Sequence, residues 1–151
     1  METEKLILNA HIEISKNSNV KYEYEDNKLK LDRILPNTNV FPYNYGYIPN
    51  TLSGDGDPLD IIIISDYELV PGCYCDVDIK GVIETKDEGG IDPKLYGIIK
   101  GEKKEINKND IDRIIYFLSH YKDGEKEKFV EINGIYGIEK AREIYKNDCL
   151  N

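Results

Sequence analysis

Basic residues, cysteines and long apolar runs are all scarce in this chain, and each shortage removes a class of function. Twenty Lys and Arg face 29 Asp and Glu, for a formal net charge of −9. Non-specific nucleic-acid binding needs basic surface to displace counterions from phosphates, so this balance argues against it. An anionic small molecule remains compatible, provided that cations bring the two together. Only three arginines occur, Arg33, Arg113 and Arg142. The cysteines, Cys73, Cys75 and Cys149, are odd in number and form no CxxC. His11 and His120 lie far from the close pair, which speaks against a zinc site. Cys75 alternates with Val77 and Ile79 and reads as a core thiol. The longest apolar runs have four or five residues, far short of the ~20 that span a bilayer. The N-terminal METEKLILNAHIEIS has no basic region ahead of a long apolar stretch, so it is not read as a signal peptide. Together these features predict a cytoplasmic chain with no membrane and no nucleic-acid partner. At 151 residues it is most simply one domain, residues 1–151, large enough to bury a real core.

What the chain does have is β patterning followed by helical patterning. VKYEYE alternates strictly, with Val20, Tyr22 and Tyr24 on one face and Lys21, Glu23 and Glu25 on the other. LKLD, IIII, YCDVDIKGVIE and LYGII read as further strands, separated by turn signals at PNTN, SGDGDP, VPG and DEGGIDP. Beyond the lysine-rich KGEKKEINKND the period changes: Ile111, Ile114, Ile115 and Leu118 recur at helical spacing, with Asp110 as the expected N-cap. A second helix is expected around Ile138, Ala141, Ile144 and Tyr145, behind NGIYG. Short strands followed by helices predict a mainly β (α+β) fold, a small barrel with flanking helices toward the C-terminus.

The stretch GDGDPLDIIII places Asp55, Asp57 and Asp60 within six residues, directly before a buried strand. Three carboxylates this close repel one another, and moving them out of water raises that cost. Hard cations resolve the conflict, because Mg2+ takes carboxylate oxygens and keeps several waters. A plain acidic turn would place fewer charges and would not run into a core. An EF-hand loop counted from Asp55 fails, since Leu59 occupies an acidic position and Asp60 the position that needs glycine. In a haloacid-dehalogenase-like Asp-x-Asp pair the apolar strand precedes the aspartates, whereas here it follows them. TKDEGGIDPK supplies a second acidic cluster, Asp87, Glu88 and Asp92 with Lys94, able to close a multi-metal site from another loop.

FPYNYGYIPNTLSGDGDPLDIIII resembles the signature region of the soluble, family I inorganic pyrophosphatases. The likeness runs from about His11 to about Val130 and rests on D-x-D-P-x-D preceded by NYGYI. It implies a five-stranded OB-like barrel with the site at one end, and Mg2+-dependent hydrolysis of pyrophosphate to two orthophosphates. Several Mg2+ ions per site are implied, with Mn2+ or Zn2+ as substitutes. The implied metal ligands are Asp55, Asp60, Asp87 and Asp92, with Glu13 (in IEI) and Glu23 (in KYE) organising metal-bound water. Asp57 is the implied general base for a metal-bridging water. Lys21, Arg33, Tyr121 and Lys122 would grip phosphate oxygens, a planar guanidinium being suited to two at once. Tyr45 and Lys94 would orient water or phosphate at the edge of the site.

The chain departs from the family pattern in a shortened 100–110 segment, in Phe129 where Trp is common, and in Ser15 where Pro is common. None of these removes a catalytic group. The family also implies a homo-oligomer, a hexamer by default. Two rivals fit parts of the constellation. Another metal-dependent phosphohydrolase would need a base pocket that no stretch resembles. A non-catalytic divalent-cation or oligonucleotide-binding OB module would need neither Arg33 nor the Tyr121–Lys122 pair.

Overall fold

The computed structural model describes residues 4–36 and 40–150. Strands dominate: β1 (Ile7–Ile14), β2 (Val20–Glu25), β3 (Lys28–Ile34), β4 (Asn44–Ile48), β5 (Leu59–Ile63), β6 (Tyr74–Asp87), β7 (Gly90–Ile99) and β8 (Val130–Gly137). The helices are α1 (Lys108–His120) and α2 (Ile138–Asp148). Six strands form one sheet in the order β1-β4-β5-β7-β6-β8, and β1 also pairs with β6. That extra pairing closes β1, β4, β5, β7 and β6 into the ring of five that the resemblance implies. β5 and β7 run parallel, whereas the other pairs are antiparallel. β2 and β3 stand apart as a two-stranded hairpin. No helix among the described residues is long and apolar enough to cross a membrane.

Side-chain alternation decides what fills the ring. Leu8, Ala10, Ile12, Ile48, Leu59, Ile61, Ile63, Val77, Ile79, Val82 and Leu95 converge from all five strands into one buried cluster, with Ala141 of α2 packed on it. A five-stranded barrel has an interior only wide enough for such side chains. The isoleucine run is unbroken because this strand is covered on both faces. Ile61 and Ile63 point inward, whereas Ile62 and Ile64 point outward into a second cluster with Tyr43, Ile83, Ile114 and Leu118 beneath α1. Gly46 is required where β1 and β4 meet, since a Cβ there would lie 1.9 Å from the His11 carbonyl oxygen. Cys75 packs against the barrel cluster as a partly buried thiol, as its alternation predicts.

Two local expectations are corrected and one strand is added. α1 starts a turn earlier than expected, with Asn107 as N-cap. Asp110 is the N3 residue of a reciprocal capping box: its amide donates to Asn107 at 3.0 Å, and its carboxylate accepts the Asn107 amide at 3.0 Å. The Tyr43 hydroxyl also donates to Asp110, which buries the carboxylate. NGIYG, directly ahead of α2, lies within β8 and pairs with β6, a strand that the hydrophobic pattern does not mark. DEGGIDP is a tight turn only at Glu88–Gly89, so that Asp92 lies within β7. The expected turn at PNTN falls on residues 37–39, outside the described residues.

Candidate active site

The loop between β4 and β5 is pinched at its base by Thr51. Its hydroxyl donates to the Ile48 carbonyl at 2.6 Å and accepts the Leu59 amide at 2.9 Å. Above this, the Ser53 amide donates to the Asp57 carbonyl and the Gly56 amide donates to the Ser53 carbonyl. Gly56 has φ +90°, a left-handed conformation that disfavours any side chain. Asp55 accepts the Asp57 amide at 3.0 Å. The turn therefore holds Asp55 and Asp57 out in solvent, while Asp60 sits half-buried at the start of β5.

Asp60 belongs to a charged triad on the outward face of the barrel. β5 and β7 pair Asp60 with Lys94 in register. The Lys94 ammonium donates to Tyr45 Oη at 2.7 Å, to Asp60 at 2.9 Å and to Asp92 at 3.0 Å. Tyr45 in turn donates to Asp60 at 2.7 Å. Lys94 is only 2% exposed. Burial alone would lower its pKa, but Asp60, Tyr45 and Asp92 outweigh burial and hold the ammonium well above the usual lysine range. Burial pushes the Asp92 carboxyl up, and Lys94 pulls against that shift.

The other walls come from the end of β6, from α1 and from the hairpin. Asp87 ends β6, and Lys122 follows α1, with its ammonium 3.4 Å from Asp87 and 3.2 Å from both oxygens of Glu88. Tyr121 is set by stacking on Phe117, with ring centroids 5.3 Å apart, and Phe117 itself packs on Phe41 at 4.3 Å. The hairpin brings Lys21, Glu23 and Arg33. A register shift between Lys21 and Tyr22 leaves Asp32 as the extra residue of a bulge. Neighbouring residues then no longer point to opposite faces, and Asp32 reaches Lys21 at 3.5 Å while Arg33 reaches Glu125 at 3.6 Å.

All thirteen site residues that the resemblance implies line one cavity of about 780 Å3, whereas Glu88 of the second acidic cluster does not. They are Glu13, Lys21, Glu23, Arg33, Tyr45, Asp55, Asp57, Asp60, Asp87, Asp92, Lys94, Tyr121 and Lys122. A model described as inorganic pyrophosphatase matches residues 10–150. The chain belongs to the inorganic pyrophosphatase family. Among relatives, it is 47% identical over 147 residues to an inorganic pyrophosphatase of Nanoarchaeum equitans, covering 91% of this chain and 92% of that one. It is 38% identical over 151 residues to that of Saccharolobus solfataricus, covering 92% and 88%. A solved inorganic pyrophosphatase from Thermus thermophilus superposes with a TM-score of 0.87 at 33% identity, covering 95% and 89%. One from Coxiella burnetii superposes at 0.86 and 32% identity, covering 94% and 92%. The chain is thus a hydrolase with this family's barrel.

The strand-borne groups of this pyrophosphatase site face outward from the barrel, near the end where β5 and β7 begin and β6 stops. Asp60 and Lys94 alternate with the inward Leu59, Ile61 and Leu95. Glu13 follows the inward Ile12 and faces the same side as Asp60, and the register shift that comes next turns Ile14 there as well. The barrel interior, already filled by apolar side chains, has no room for polar groups. Sequence reading also missed Asp32, Tyr47 and Lys128 among the lining residues. Asp32 adjoins Arg33, and strict alternation assigns only one of two neighbours to a face. Lys128 sits in a charged loop that reads as solvated surface.

The cavity is short of positive charge. Eight carboxylates (Glu13, Glu23, Asp32, Asp55, Asp57, Asp60, Asp87 and Asp92) face five cations (Lys21, Arg33, Lys94, Lys122 and Lys128). Burial first, and then Asp60, Asp32 and Glu23 against the opposing Lys21, push the Glu13 carboxyl up to about 7. Among the described residues no three carboxylates converge closely enough to cage a cation by themselves. The all-oxygen donor set, spread around an open cavity, fits a hard cation that keeps part of its water shell.

Proposed function

We propose that this chain hydrolyses inorganic pyrophosphate in a Mg2+-dependent reaction, with Asp57 as general base. The observation that carries this reading is the convergence of a cation-deficient carboxylate cluster with Lys21, Arg33, Tyr121 and Lys122 in one cavity. Asp55, Asp60, Asp87 and Asp92 would hold the metal, with Glu13 and Glu23 ordering its water; Mn2+ or Zn2+ would substitute. When bound, the cation supplies Lewis-acid charge and lowers the pKa of water.

The chain's own groups account for the rest. Asp57 lies on an exposed loop tip held by the Gly56 turn and takes the proton of the attacking water at its carboxylate. Lys21 and Arg33 from the hairpin, with Tyr121 and Lys122 after α1, grip phosphate oxygens and stabilise the leaving phosphate as the P–O bond breaks. Lys94 is committed to Asp60, Asp92 and Tyr45, and so keeps the ligand carboxylates and the tyrosine hydroxyl in place. Lys122 is held by Asp87 and Glu88, which keeps an ammonium at the mouth of the acidic loop. The family pattern carries the expectation of a homo-oligomer, a hexamer by default, and the strongly exposed Tyr67, Val70, Tyr74 and Tyr116 offer apolar surface for it. Sedimentation of the purified chain measures that state.

The deciding experiment is phosphate release from pyrophosphate, with Mg2+ and with EDTA, for wild type and Asp57→Asn. Fast release that requires metal and drops at least about a hundredfold in the variant supports metal dependence and the base together. Release that persists in EDTA overturns the metal dependence, and an Asp57→Asn variant as fast as wild type overturns the base.

A further inference from the structure

The β2–β3 hairpin carries Lys21, Glu23, Asp32 and Arg33 to the cavity, yet its strands pair only with each other. The backbone hydrogen bonds that anchor it cluster at its root, from the Leu35 amide to the Asn19 carbonyl and from the Phe41 amide to the Ser18 carbonyl. Its far end rests on the barrel through side chains alone. Leu29 lies over Gly72, with a methyl 3.3 Å from where a Cβ would stand, and the Tyr24 ring meets His11 with centroids 5.1 Å apart at 67°.

His11 is an unusual choice for that spot. It is 1% exposed, and neither ring nitrogen has a hydrogen-bond partner among the described residues. What surrounds it instead is a set of three tyrosine rings: Tyr24 at 5.1 Å, Tyr47 at 5.0 Å and Tyr74 at 5.1 Å. Edge-to-face contacts of this kind set a defined separation and tilt that aliphatic packing does not impose. The cluster also adjoins the site. β4 pairs Tyr47 with His11, and β5 pairs the same Tyr47 with Asp60. Glu13 lies two residues along β1.

We infer that the His11–Tyr24 contact is the seat that fixes the hairpin's height over the carboxylates, and thereby the protein's grip on pyrophosphate. His11 and Tyr24 are positioning residues, acting through Lys21 and Arg33. Lys21 is three residues from Tyr24, or ~10 Å along a strand. Lifting the strand at Tyr24 therefore displaces Lys21 and its register partner Arg33. The inference rests on the reading that this cavity binds pyrophosphate.

The test uses Tyr24→Ala, Tyr24→Phe and His11→Leu. It measures KM and kcat for pyrophosphate at saturating Mg2+, together with amide hydrogen exchange across Val20–Ile34. Tyr24 is half-exposed, so its truncation leaves the barrel folded. Tyr24→Ala is expected to raise KM about tenfold with kcat within about twofold. Exchange should speed up in the hairpin while β5 and β7 stay at the wild-type rate. His11→Leu, apolar but without a ring, should reproduce the KM rise, and Tyr24→Phe should restore the wild-type KM. An unchanged KM in Tyr24→Ala overturns the inference even if hairpin exchange accelerates. So does a fall in kcat at constant KM, or a Tyr24→Phe variant as impaired as Tyr24→Ala, which would make the hydroxyl a direct ligand. A wild type that neither binds nor hydrolyses pyrophosphate removes the inference together with the reading beneath it.

Discussion

Replacing Lys94 by methionine tests how far the barrel depends on one buried ammonium. Methionine fills similar volume but leaves Asp60, Asp92 and the Tyr45 hydroxyl without the donor that lies 2.7–3.0 Å from each. Removing one partner of a buried ion pair costs about 3–5 kcal/mol. The lower end applies here, because the Asp60 side chain is 23% exposed and can recover some water. For a chain of 151 residues, each kcal/mol moves Tm by about 2–4 °C, so about 3 kcal/mol corresponds to about 6–12 °C. The assay is thermal unfolding by circular dichroism in EDTA at pH 7.5, repeated in millimolar Mg2+. The deficit should be full in EDTA and smaller with Mg2+, since a cation bound at Asp60 and Asp92 replaces part of the lost charge. A Lys94→Met variant that melts within about 2 °C of wild type in EDTA would refute the reasoning.

Two further predictions follow from other groups. The Glu13 carboxyl, raised to about 7 from 4.5, stays protonated in the folded metal-free protein where the unfolded chain has already ionised. The unfolded state then binds fewer protons, so stability in EDTA falls as pH rises from about 4.5 to about 7, by about 3 kcal/mol at most. Glu13→Gln should flatten that slope in urea titrations, and an unchanged slope would count against the assignment. Asp110 behaves in the opposite sense. Burial alone would raise it, but the Asn107 amide, the Tyr43 hydroxyl and Lys104 together hold it below the usual carboxylate range. Its contribution is present at neutral pH and disappears as pH drops through that lowered value. Asp110→Asn should cost about 1–2 kcal/mol at pH 7 and close to nothing once the pH has dropped below that lowered value, where wild type has lost the same charge.

The site was more legible in the sequence than the fold that carries it. Eleven of its residues sit in short runs, KYE, LDR, SGDGDPLD, KDEGGIDPK and HYK; charge density and turn chemistry mark the two acidic runs directly, and the family resemblance marks the other three. Strands were legible because alternation survives in VKYEYE of the hairpin and because the barrel's isoleucine run is unbroken and apolar on both faces. The misses share one cause: each depends on partners that a linear pattern does not contain. β8 has glycines at 134 and 137 and shows no clear strand pattern until β6 pairs with it. Asp110 and Asn107 are equally good caps by composition, and Tyr43 and Lys104 decide between their positions. Asp32 faces the site only because a bulge interrupts β3.

The isoleucine strand β5 has a consequence for how the protein fails under heat. Because apolar layers cover both its faces, its amides belong to the part of the molecule that opens only with global unfolding. Asp60 is therefore mounted on the most durable segment of the chain. The β2–β3 hairpin, paired with nothing else, belongs to the part that opens first. Warming then disassembles the site in order: affinity for the anion decays while the carboxylate scaffold still stands. The expected outcome is that affinity for pyrophosphate is lost at a temperature below the one at which the barrel melts.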